Sequence, residues 1–118
     1  PMSTPTETIN VYIEATRSGD VDKLKSVFAS GALMSGFFEG EFYSGSPDLF
    51  FEEVRDNLSP AETGSEYVGD ITYEEVVGRT AQITMKEKGY LGVDIINLFH
   101  LAKINGTWLI LSKTYTDV

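Results

Sequence analysis

The chain has no cysteine, which removes disulfides, thiol nucleophiles and thiolate-bound metals in one step. It has one histidine, His100, and no second histidine or cysteine to complete a transition-metal site, so no metal is expected. Cations are scarce: nine Lys and Arg against eighteen Asp and Glu give a formal charge of −9, and the nine do not cluster. Nucleic acids and anionic membranes recruit basic patches, so neither is an expected partner. No apolar run approaches the ~18 residues of a membrane span. The N-terminus lacks the charged, apolar, small-residue succession of a secretory signal. These absences fit a cytoplasmic setting. The glycines match no phosphate-cradle spacing, and no cofactor is implied.

What is present is 118 residues with an ordinary 42% hydrophobic content, the size of one domain with a single core. Pro1 before Met2 reads as a residue left by an expression tag and is set aside. Thr4-Pro5-Thr6-Glu7 is a helix start, with Thr4 as cap, Pro5 first in the helix and Glu7 closing a capping box. Ile9, Tyr12, Ile13 and Thr16 then share one face, and Gly19 ends the helix. Asp20 caps a second, shorter helix through Val21, Leu24, Val27 and Phe28, ending near Gly31. Ala32–Phe38 and Glu41–Ser44 form a small hairpin. Ser46-Pro47-Asp48 starts a third helix that runs to about Leu58, with Phe50 or Phe51, Val54 and Leu58 inward. Ser59–Ser65 is a loop and a candidate lid.

From Glu66 the period changes to strands: Tyr67–Val77, Arg79–Lys88, and a long hairpin turning at Asn105-Gly106. The two hairpin arms are apolar on both sides, so cover is expected on both sides, from the helices and from a second copy of the chain. Early helices and a late meander predict an α+β domain, three N-terminal helices packed on one face of a curved, mostly antiparallel sheet.

This order, with "YIEATRSGDVDKLKSVFASGALM" (Tyr12–Met34) and "KINGTWLILSKTY" (Lys103–Tyr115), resembles the nuclear transport factor 2-like, cystatin-like cone superfamily. The ending is similar to its SnoaL-like and lumazine-binding branches. The resemblance implies a pocket between the helices and the concave sheet, and a homodimer across the convex face. Set beside ketosteroid isomerase, Tyr12 falls where that enzyme's oxyanion-donating tyrosine stands. Asn97 falls at its protonated aspartic acid, and as a neutral donor could make the same hydrogen bond. The isomerase's proton-abstracting carboxylate falls on Gly36, so no base stands there. Asp94, Glu39 or Glu41 would have to reach the pocket instead.

The Asn105-Gly106 turn allows two registers. A two-residue type I′ turn pairs Ile104 with Thr107; a bulged turn pairs Lys103 with Thr107. The resemblance favours the bulged turn, which sets Asn97 opposite Lys113, Phe99 opposite Leu111 and Ile95 opposite Tyr115. The concave wall is then Ile95, Asn97, Phe99, Leu111, Lys113 and Tyr115, while His100, Trp108 and Ile110 face outward onto the dimer partner. With Tyr12, Thr16, Phe28, Met34, Phe37, Phe51 and Val54 these wall residues form the expected ligand shell, and Tyr12, Asn97 and Lys113 are the catalytic candidates.

Each candidate has a plainer role beside the functional one. Tyr12 serves equally as a core tyrosine bonded to a carbonyl, Asn97 as a strand-end or water ligand, and Lys113 as a side chain reaching the solvent at the rim. Three functions follow: binding of a small hydrophobic, ring-shaped molecule; isomerase, dehydratase or polyketide-cyclase chemistry through an enolate-like oxyanion; or a dimeric interaction module.

Overall fold

Thr4 caps the first helix as its spacing predicts, its Oγ1 accepting from the Glu7 amide at 3.1 Å. In the computed structural model, which describes residues 1–118, α1 runs Pro5–Ser18 and ends at Gly19 in the left-handed region. Asp20 caps α2 (Val21–Lys25), which is shorter than expected. Val27 and Phe28 leave the helix: Phe28 opens β1 (Phe28–Phe38), and the Val27 carbonyl accepts from the Ile110 amide at 2.8 Å. The hairpin closes with β2 (Glu41–Gly45). In α3 (Asp48–Asp56) Phe50, Phe51 and Val54 are all buried, while Leu58 lies beyond the helix end and is 68% exposed. The expected loop at 59–65 contains a one-turn helix, α4 (Pro60–Thr63), because the Ser59 hydroxyl and Gly64 cap its two ends.

The strands β3 (Val68–Val77), β4 (Thr80–Tyr90), β5 (Val93–Ile104) and β6 (Thr107–Asp117) follow. They join one six-stranded sheet of order β2-β1-β6-β5-β4-β3, in which only β1 and β6 run parallel. The α+β cone is therefore as the sequence predicts. Its core lies between α1 and α3 and the sheet, and includes fully buried Ile9, Tyr12, Leu24, Phe99, Leu101 and Ile110. Each of the aliphatic members contributes roughly 1.5–3 kcal/mol by leaving water.

The register of the last hairpin differs from the expected one. Asn105 and Gly106 both have positive φ and Ile104 pairs with Thr107, so the turn is the two-residue form. The extra residue sits further along β6. Leu101 pairs with Ile110 but His100 pairs with Ser112, leaving Leu111 as a bulge. A bulge inverts the alternation of faces. Before it Trp108 and Ile110 point to the helices; after it Lys113 and Tyr115 do. Trp108 and Ile110 are thus core residues and not dimer-face residues. Leu111 sits on the outer face beside His100, outside the ligand shell. Asn97 stands opposite Tyr115, and Phe99 opposite Lys113.

Candidate functional site

Between α3 and the sheet lies a cavity of about 270 Å³. Met34 and Phe38 of β1, Phe50 and Glu53 of α3, Tyr90 and Ile95, and Lys113 and Tyr115 of β6 line most of it. A second cavity of about 280 Å³ lies beyond Glu53 and Tyr90, which belong to both walls. Tyr90 donates its hydroxyl proton to Glu53 Oε1 at 2.5 Å, so a hydrogen-bonded pair forms the partition.

Lys113 is the polar centre of the first cavity. Its Nζ donates to the Tyr12 hydroxyl at 2.5 Å and sits 4.3 Å from the Phe50 ring centroid, with the Tyr115 and Tyr12 rings at 5.1 and 5.2 Å. No carboxylate lies within 4.0 Å of it; the ion pairs at that distance are Arg17–Glu14 and Arg55–Asp56. Burial pushes the Lys113 amine down to about 8, with the charges of Glu87 and Glu53 acting in the opposite sense. Tyr12 is wholly buried, and burial first, then Glu87, holds its phenol well above the ordinary range. It packs edge-on against Phe99 at 5.2 Å and stacks on Phe50 at 5.8 Å.

Below the cavity is a second polar group, buried in the sheet. Glu87 Oε2 accepts from the Tyr67 hydroxyl at 2.5 Å and Oε1 from Asn97 Nδ2 at 2.6 Å. Asn97 Nδ2 also donates to the Met85 carbonyl at 3.3 Å. Both amide protons of Asn97 are therefore spent within the protein, and none is free for a ligand's oxyanion. Its Oδ1 is buried without a partner.

Of the expected ligand shell, Met34, Ile95, Lys113 and Tyr115 line the first cavity. Thr16 and Val54 line the second. Tyr12, Asn97 and Phe99 lie behind the wall, and Phe28 packs on Phe51 at 5.3 Å. Phe37 is a correction: it is 51% exposed and packs on Phe42, since it alternates away from Met34 and Phe38. Gly36 admits no side chain at all, because a Cβ there would stand 2.0 Å from the Tyr115 carbonyl oxygen and 2.7 Å from its ring. Among the carboxylates weighed as replacements, Asp94 is engaged by the Gly89 amide at 3.2 Å and Glu39 and Glu41 are exposed. Glu53 is the carboxylate that lines the cavity.

Glu87, Tyr67 and Tyr90 are not among the expected site residues, and neither is Glu53, whose adjacency to Glu52 points the two carboxylates apart and makes no acid/base dyad. Ala81, Ile83 and Met85 alternate inward along β4, and Glu87 continues that parity. Phe50, Glu53 and Val54 likewise share the i, i+3, i+4 face of α3. No group of three or more metal-ligating side chains is assembled anywhere in the chain.

The sequence matches a family profile described as putative lumazine-binding over residues 2–116. The chain belongs to that family. Its fold agrees with solved structures of nuclear transport factor 2-like (NTF2-like) proteins. One, of unknown function from Shewanella baltica OS155, is 22% identical with TM-score 0.85, covering 96% of this chain and 90% of its own. Another, from Silicibacter pomeroyi DSS-3, is 25% identical with TM-score 0.84 over 96% and 92%. A third, from Methylobacillus flagellatus KT, is 22% identical with TM-score 0.85 over 96% and 88%. No curated protein matches significantly. Within the lumazine-binding family, then, this member carries a cavity whose strongest polar feature is Lys113.

Proposed function

We propose that the protein binds a planar, largely apolar small molecule whose acidic or carbonyl oxygen rests on Lys113 Nζ. The observation that carries this reading is the state of that amine. It is buried among three aromatic rings, keeps one hydrogen bond, to Tyr12, and has no carboxylate within 4.0 Å. A buried charge without a counter-ion costs stability, and a ligand's oxygen or anion offsets that cost on binding. Met34, Phe38, Ile95 and Tyr115 supply apolar and aromatic walls for a ring.

2-Naphthoate is a suitable probe, a fused aromatic ring bearing one carboxylate. Its saturating addition is expected to raise the melting temperature of the wild type and leave Lys113→Met unmoved. Equal shifts in both proteins would overturn the reading.

A second reading, proton transfer through an enolate-like oxyanion, is favoured by Glu53, a carboxylate on the same cavity as Lys113. It predicts that the protein accelerates exchange of the α-protons of 2-tetralone with deuterated water, and that Glu53→Gln abolishes the acceleration. Dimerisation is proposed across the outer face of β5 and β6, where Leu98, His100 and Leu111 are exposed.

A further inference from the structure

Lys113 differs from the other five lysines of the chain, Lys23, Lys25, Lys86, Lys88 and Lys103, all of which are exposed. It alone is buried, at the wall of the first cavity, with a single hydrogen-bond partner. We propose that Lys113 is a covalent anchor, condensing through Nζ with an aldehyde or ketone carried on a planar apolar frame. This rests on the same cavity as the binding reading, and adds a bond that binding alone does not require.

The chemistry balances without an oxidant or reductant. The ammonium releases a proton to solvent, and the neutral amine attacks the carbonyl carbon to form the C–N bond. The oxygen of the resulting carbinolamine takes the proton back and leaves as water when the C–O bond breaks. The ammonium and carbonyl have become a protonated imine and one water. The surroundings suit each stage. Nζ lies 2.5 Å from the Tyr12 hydroxyl, which stays behind the wall and fixes the amine at the cavity's edge. The product remains a cation, so the Phe50, Tyr115 and Tyr12 rings that surround the ammonium stabilise it too.

Burial, Glu87 of β4 and Glu53 of α3 set the amine's charge, and Tyr12 of α1, Tyr90 of β4 and Tyr115 of β6 are the other titratable groups around it. With the amine near 8 against 10.5 for an ordinary lysine, its neutral fraction at pH 7 exceeds a surface lysine's by about 300-fold.

The test is reductive trapping of the full chain with limiting 2-naphthaldehyde and cyanoborohydride at pH 7, read by peptide mass spectrometry. The expected result is a naphthylmethyl group on Lys113 before any exposed lysine. Its rate should be half-maximal near pH 8, whereas labelling of exposed lysines is still rising at pH 10. 2-Naphthoate should compete, and Lys113→Met should lose the fast phase. If 2-naphthoate raises the melting temperature but the label falls only on exposed lysines, the covalent step is overturned and the binding reading stands. If neither effect occurs, both fall.

Discussion

The ammonium of Lys113 donates to the hydroxyl of Tyr12 over 2.5 Å, joining the last strand to the first helix across 101 positions of sequence. The contact places a cation under α1 with aromatic rings around it and no carboxylate within 4.0 Å.

Stability should depend on pH through Lys113. Folding lowers its pKa from 10.5 to about 8, so between those values the unfolded chain holds more protons and stability rises with pH. Lys113 by itself contributes a gain of about 2 kcal/mol from pH 8 to 10. Above about pH 9.5 the sense reverses, because Tyr12, Tyr67 and Tyr90 have raised pKa values and the folded chain keeps protons the unfolded chain loses. Urea unfolding from pH 7 to 11 should show a maximum near pH 9.5, and Lys113→Met should lack the rising limb.

The bulge at Leu111 is tested by a pair of substitutions. Trp108 is 5% exposed beneath α1, so Trp108→Ala should cost ~3–5 kcal/mol in chemical unfolding. Leu111 is 38% exposed on the outer face, so Leu111→Ala should cost under ~1 kcal/mol in the monomer. Equal losses would mean that the faces do not invert between them.

Glu87 holds two buried donors at once. Glu87→Ala would leave the Tyr67 hydroxyl and one Asn97 proton without acceptors and should cost ~3–5 kcal/mol. Glu87→Gln keeps an acceptor oxygen and the shape, and should recover more than half of that loss in the same urea titration.

Gly36 should tolerate no larger residue. The contact of a Cβ with the Tyr115 carbonyl is with backbone, which cannot swing aside. Gly36→Ala is expected to lower stability by more than ~2 kcal/mol, and Gly36→Asp should install no isomerase activity because the added carboxylate has no room. Soluble, fully stable Gly36→Asp with ketone-isomerising activity would refute this placement.

The outer face predicts self-association. Leu98 and Leu111 present apolar surface on adjacent strands, and Leu98→Asp should shift the chain towards monomer in sedimentation velocity. A wild-type chain that is monomeric at high concentration would remove the dimer.

The sequence alone determined the order of elements, because caps, turns and periods are local. Thr4 and Glu7 mark α1, Asn105-Gly106 marks the last turn, and the alternation of Ala81, Ile83 and Met85 marks an inward face. Tertiary structure decided which way β6 turns its side chains, since one extra residue at Leu111 inverts the parity and local pattern favours neither place for it. It also decided the company of Lys113. Tyr12, Phe50, Glu53 and Tyr115 come from three separate elements, and only packing α1 and α3 onto the sheet brings them to one amine, where burial sets its charge.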